Sequence, residues 1–167
     1  VHEYYVSDDV LSADVIINMP KPKTHRKAGA TISLKNMIGI NLRKEFLPHH
    51  TMGAKGDGGD EYNTRSTVHK FRSYIDDEIN ELSANKHYTI ARLLKTPRRI
   101  CSLILKLMGH NYSEGSWYGN HTISKTISDI NKIVYYADKQ GIMRDTLQRK
   151  VFIVADMIVS GEKEGPL

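Results

Sequence analysis

The chain has 167 residues, 40% of them hydrophobic and 26% charged, enough for one soluble globular domain with a core of its own. Cys101 is its only cysteine, which excludes an internal disulfide framework, a four-cysteine zinc site and a self-contained iron–sulfur cluster, and makes a reducing, cytoplasmic setting the simpler reading. The net charge of +5 favours anionic partners in general, and no run approaches the roughly 18 apolar residues of a membrane span.

In chain order, Tyr4–Leu11 reads as a short strand or a helix start. Val15–Ile17 is a β-branched apolar run that predicts a buried strand, stopped by Pro20 and Pro22. A basic loop follows, with Lys21, Lys23, His25, Arg26 and Lys27 ahead of Ala28-Gly29-Ala30. Thr31–Ile40 suits a helix or a strand; as a helix, its first turn would offer free backbone N–H groups near the basic loop. Residues 41–63 read as a long polar loop centred on Gly58-Gly-Asp-Glu-Tyr62, and loops of that length are usually functional or mobile.

Val68, Phe71, Ile75, Ile79 and Leu82 form a helical apolar stripe. Asn85–Thr96 predicts a second, weaker helix that stops before Pro97. Arg98–Met108 predicts a third, capped at Gly109 and made basic and amphipathic by Lys95, Arg98, Arg99 and Lys106. Gly115–Thr122 is a turn holding the only tryptophan. It opens a helix with Ile123, Ile127, Ile130, Val134 and Ala137, ended by Gly141. Lys150–Asp156 predicts a second buried strand with Asp156 at its carboxyl end. The order of elements predicts an α/β fold, a partly parallel sheet with flanking helices. The expectation is one incomplete α/β domain over residues 1–167, a fragment of a longer one, with a mostly helical insertion at about 63–115.

Chemistry concentrates at the strand ends, where open α/β sheets place their ligands. Lys21, Lys23 and Arg26 suit a phosphate or carboxylate through charge-assisted hydrogen bonds, and His25 suits proton transfer. The plainer reading is a solvated loop. His49-His50 with Asp57, Asp60 and Glu61 are candidate divalent-metal ligands, although adjacent histidines diverge and no HExxH spacing is present. Asp156 and Glu162 are candidate acids or bases, and Trp117 and Tyr118 candidate stacking surfaces. No Walker loop, GxGxxG or GxSxG elbow occurs, and Cys101 lies on the apolar side of a helix, unlike a reactive thiol.

Ala13-Asp-Val-Ile-Ile-Asn-Met-Pro-Lys-Pro-Lys-Thr-His25, Ala28-Gly29, Ser33-Leu-Lys-Asn-Met-Ile-Gly-Ile40, Leu47-Pro-His-His50, Gly58–Tyr62, Trp117-Tyr-Gly-Asn120 and Gly161–Leu167 together resemble the signature of domain-of-unknown-function family 362. The resemblance spans nearly the whole chain in the family's order and implies a shared fold and a shared site. Mapped by it, the motif residues are Lys21, Lys23, Thr24, His25, Lys35, Asn36, His49, Asp60, Glu61, Asn120, Asp156 and Glu162. Some family members carry a ferredoxin-like iron–sulfur module. With one cysteine this chain departs from them, and it looks like a subgroup found near polysaccharide genes.

The leading expectation is a cytoplasmic enzyme acting on an anionic small molecule, phosphorylated or carboxylated, with sugar-derived metabolites among the candidates. Lys21, Lys23 and Lys35 would hold the anion, with Thr24, Asn36, Trp117 and Asn120 lining the site. His25, Asp156 or Glu162 would move a proton, and His49, Asp60 and Glu61 would recruit a divalent metal. The alternative is a non-catalytic module docking its basic helix on an acidic partner or a membrane surface. Nucleic acid is disfavoured, because aromatic and basic residues are not interleaved as a stacking platform needs.

Overall fold

Ser7 caps the first helix, α1 (Asp8–Ser12), its Oγ accepting from the Asp9 N–H at 3.3 Å. The computed structural model describes residues 3–110 and 115–161. It divides into two compact units, Val1–Thr51 with Tyr118–Leu167, and Met52–Trp117. Among the described residues no helix is long and apolar enough to cross a membrane.

In the first unit the two expected strands form and pair in parallel. β1 (Val15–Asn18) lies beside the later strand Lys150–Ile153, in the register Val15↔Lys150 to Asn18↔Ile153. The later strand is three residues shorter than predicted. Past its end the chain still follows β1's continuation, Val154 N–H donating to Asn18 O at 2.9 Å and Asp156 N–H to Pro20 O at 3.1 Å. Pro20 has a carbonyl to offer and no N–H, so exchange is one-sided there and the ladder ends. The strands are buried on one face only. Ile16 and Val151 pack on the core of Met37, Leu47, Ile130 and Val134, whereas Val15, Ile17 and Phe152 are exposed. An apolar run signals a strand but cannot tell how many faces are covered.

The basic loop is a hairpin. β2 (Lys23–His25) pairs antiparallel with β3 (Gly29–Thr31), and Gly29 turns the chain at φ +74°, a conformation costly for a residue with a Cβ. The ambiguous Thr31–Ile40 segment is helical, with one α-turn, α2 (Ser33–Asn36), and a 3₁₀ turn over Met37–Ile40. Further 3₁₀ turns at Lys44–Phe46 and Pro48–His50 bury Leu47 and His49.

The second unit holds two long helices, α3 (Thr67–Ala84) and α4 (Tyr88–Leu107). Ser66 caps α3 by accepting from the His69 N–H at 3.3 Å. The break predicted before Pro97 does not occur, and α4 runs through it. Interior proline removes a hydrogen bond, at a cost of about 3 kcal/mol. Here the carbonyl left over belongs to the exposed Leu93, where water can satisfy it. The helix is meanwhile held by packing on α3 and by the Asp76 carboxylate, which pairs with Arg98 and, at 3.6 Å, with Arg72. Gly109 caps α4 as expected: at φ +80° it donates to Lys106 O at 3.1 Å while His110 N–H reaches Leu105 O at 2.9 Å. Buried His69 stacks between Tyr62 and His110, with ring centroids 4.7 and 5.1 Å away.

The last helix, α5 (Thr122–Tyr136), belongs to the first unit, and Asn120, two residues before it, accepts from the Thr122 N–H through Oδ1 at 3.0 Å. Ile123, Ile130 and Val134 are buried along it, as the periodicity predicts. Its far end is closed by Arg149, one residue before β4 (Lys150–Ile153). The buried guanidinium donates to Leu11 O and Ala137 O at 2.7 Å each, to Ala13 O at 3.3 Å, to Ile133 O at 3.4 Å and to Val134 O.

Replacing Arg149 by Lys keeps the charge but not the fork of donors. The expected loss is about 3 kcal/mol of folding stability, read from the denaturant midpoint, because several buried carbonyls lose their partner. A loss below about 1 kcal/mol would show that the guanidinium does not hold these segments together.

Candidate functional site

The carboxyl end of β1 leads into the segment that carries the basic residues, and the chain after β4 runs alongside it. Gly161 N–H donates to Pro22 O at 3.0 Å, and its carbonyl accepts from the Thr24 N–H at 3.2 Å, so the chain after β4 stays beside β2. In the hairpin, alternation puts Lys23 and His25 on one face, with Thr31 directly across from Lys23 and Gly29 across from His25. Thr24 and Ala30 take the other, exposed face. A Cβ on Gly29 would meet nothing within 4 Å, so the space beside His25 is open. Thr31 is buried, and its Oγ1 has no hydrogen-bond partner among the described residues.

Lys35 reaches this face from α2. A single helical turn is not stable alone, and three amide side chains hold it. Buried Asn18, the last residue of β1, donates to Ser33 O at 2.8 Å and accepts from Asn36 Nδ2 at 2.7 Å. Asn131 on α5 donates to Leu34 O at 2.9 Å and to Ile127 O at 2.8 Å. Asn36, expected to touch ligand, thus spends an amide hydrogen on positioning its own turn. Asn18 and Asn131 were not singled out from the sequence. The available signal was an asparagine on an otherwise apolar strand and another on a helix's buried stripe.

Among the described residues the charges that act on His25 are cationic. Burial, followed by the charges of Lys35, Lys27, Arg26 and Lys23, pushes the pKa of His25 down to about 4. Burial and then Lys23 push that of Lys35 down as well. Geometry adds to this. His25 Nδ1 accepts from the backbone N–H groups of Lys27 and Ala28 at 3.2 Å each, so the neutral ring carries its proton on Nε2. Lys27 is anchored through its Nζ to His49 O at 2.6 Å.

The remaining candidates are dispersed. Lys21 is exposed on the segment between the two prolines. Asp156 is exposed, and its Oδ1 accepts from the Ile158 N–H at 3.2 Å, capping a turn. Asn120 Oδ1 accepts from the N–H of Thr122, the first residue of α5, and Glu162 lies outside the described residues. The metal candidates fall in both units, His49 in the first and Asp60 and Glu61 in the second. Among the described residues no three His, Cys, Asp or Glu side chains group as a metal site.

Within the second unit the Gly58–Tyr62 stretch is ordered rather than loose. Glu61 accepts from the Gly53 N–H at 3.2 Å and from the Ser73 hydroxyl on α3, and Asp60 O accepts from the indole of buried Trp117 at 3.3 Å. Lys55 Nζ lies 5.1 Å from the centre of the Trp117 ring. Gly59 is pressed so close to Met52 and Gly53 that a Cβ would come within 2.4 Å of their backbone atoms.

A family model described as Domain of unknown function (DUF362) matches residues 1–167, the whole chain. No curated protein and no solved structure gives a match.

Two measurements probe this geometry. Gly59→Ala forces the backbone of residues 52–53 to move, and the expected cost is about 3 kcal/mol in chemical denaturation. His25 has its pKa depressed from 6.5 to about 4. Its contribution to stability is therefore complete above pH 6.5 and is lost as pH falls towards 4, because the unfolded chain takes up the proton first. The parent's acid-side stability curve should accordingly be steeper in that window than the curve of His25→Gln; identical slopes would contradict the assignment.

Proposed function

The chain belongs to the DUF362 family, and from that footing we propose that it is an enzyme acting on a small anionic molecule, phosphorylated or carboxylated, sugar derivatives among them, bound at the hairpin face. The observation that carries this reading is the crowding of Lys23, Lys27, Arg26 and Lys35 around one neutral histidine. Like charges brought together this way cost free energy in the free protein, and an anion relieves it.

In this reading Lys23 and Lys35 form charge-assisted hydrogen bonds to the anion, and exposed Lys21 assists its capture. His25 acts through Nε2–H as a neutral donor aimed at an oxygen on which charge develops, a role in which a low pKa is an advantage. Thr31 Oγ1 supplies a further polar contact. Asp156, three residues beyond β4, is the carboxylate offered for proton transfer. The lone, buried Cys101 fits a reducing cytoplasm.

Sulfate tests the anion site without changing its own charge between pH 4 and 7. Its binding should raise the His25 pKa from about 4, followed by NMR of the ring protons, because an added anion opposes the surrounding cations. Lys35→Ala should weaken sulfate binding by about tenfold and raise the His25 pKa in the free protein. A His25 resonance that ignores sulfate, with binding unchanged in Lys35→Ala, would remove this face from the site.

A further inference from the structure

We propose that α4 lies on the surface of an anionic phospholipid membrane, with its long axis parallel to the bilayer. At 3.6 residues per turn the helix divides into three arcs. Ala91, Cys101 and Leu105 are buried on one. A second, roughly 100° wide, carries Leu93, Ile100, Leu103, Ile104 and Leu107, broken only by Thr89 and Thr96. Leu93, Ile100, Leu103 and Leu107 are 55–80% exposed there, and half-exposed Phe71 of α3 adds to the apolar surface. The third arc, bordering the apolar one at Leu103, carries Arg92, Lys95, Arg99 and Lys106.

A helix with one buried face has no need of a second apolar one. An aliphatic arc edged by cations matches the boundary between acyl chains and acidic headgroups, where the aliphatic stems of Lys and Arg lie along the apolar zone while their charges reach the phosphates. Charge selects the leaflet: no Asp or Glu occurs between Glu81 and Glu114, whereas Lys86, Arg92, Lys95, Arg99 and Lys106 do, besides Arg98, which pairs with Asp76 of α3. A cleft of about 510 Å³ lined in part by Ser83, Tyr88, Arg92, Lys95 and Arg99 offers a lipid phosphate a cationic seat beside that arc. A face built for a protein would be expected to mix directional donors and acceptors into its apolar centre.

Flotation of the full chain with phosphatidylcholine vesicles, with and without one-third phosphatidylserine, tests this. Binding should require phosphatidylserine and weaken as salt rises. Lys95→Gln with Arg99→Gln should lower it about 25-fold, near fivefold per cation. Leu103→Gln with Leu107→Gln should also lower it, with the far-UV dichroism of the parent. If that second pair loses helical signal, the charge pair, on a different arc, decides alone. Equal binding to both vesicle types, no binding to either, or binding that ignores the substitutions would overturn the proposal. Binding to soluble polyglutamate but not to vesicles would assign the face to an acidic protein and overturn it too. So would full release by millimolar inorganic phosphate, which would mark a free-phosphate cleft.

Discussion

One guanidinium fixes where the first unit's strands begin. Arg149 sits at the meeting of the ends of α1 and α5 and takes carbonyls from both, Leu11 and Ala13 on one side and Ile133, Val134 and Ala137 on the other. The last turn of a helix gathers unpaired carbonyls and partial negative charge, so a buried cation there finds acceptors that offset its desolvation. Burial nonetheless lowers its pKa. Ala13 lies two residues before β1, and Arg149 immediately before β4. Their parallel register, and with it the placing of Pro20, Lys21 and Asp156 at the carboxyl ends, follows from that one anchor.

Long periodic segments were legible in the sequence. The stripes at Val68–Leu82 and Ile123–Ala137 correspond to α3 and α5, and the two β-branched runs correspond to the parallel pair. What could not be read was decided by partners far along the chain. The hairpin strands are three residues each, too short for any period to show, and their lysines read as loop. The proline rule failed at Pro97 because a local penalty was set against the packing of a whole amphipathic face. Arg149 reads as one more surface cation until the carbonyls of residues 11–13 and 133–137 are seen around it. Glu61 reads as part of a flexible acidic loop, yet its carboxylate ties Gly53 to α3.

The candidate site shows how a fold sustains an arrangement its residues would not choose. Burial and then Lys23 disfavour the charge of Lys35, and nothing local makes a four-residue helix persist. Neutral amides do the holding: Asn18, Asn36 and Asn131 bind carbonyls and one another, so the turn that carries Lys35 is placed by groups without charge. The basic residues announced themselves by charge. The residues that set them in place carry none, which is why they stayed hidden among strand and helix positions.

The hairpin turn carries a consequence of its own. His25 Nδ1, which gathers the N–H groups of Lys27 and Ala28, is the ring's only vacant position for a second proton. Clasping the turn and becoming a cation are therefore mutually exclusive acts for this side chain. Near neutrality the clasp is shut and the ring stays uncharged; in acid the proton would have to prise it open. The loop's stiffness and the ring's charge are thus a single variable, and whatever sets one sets the other.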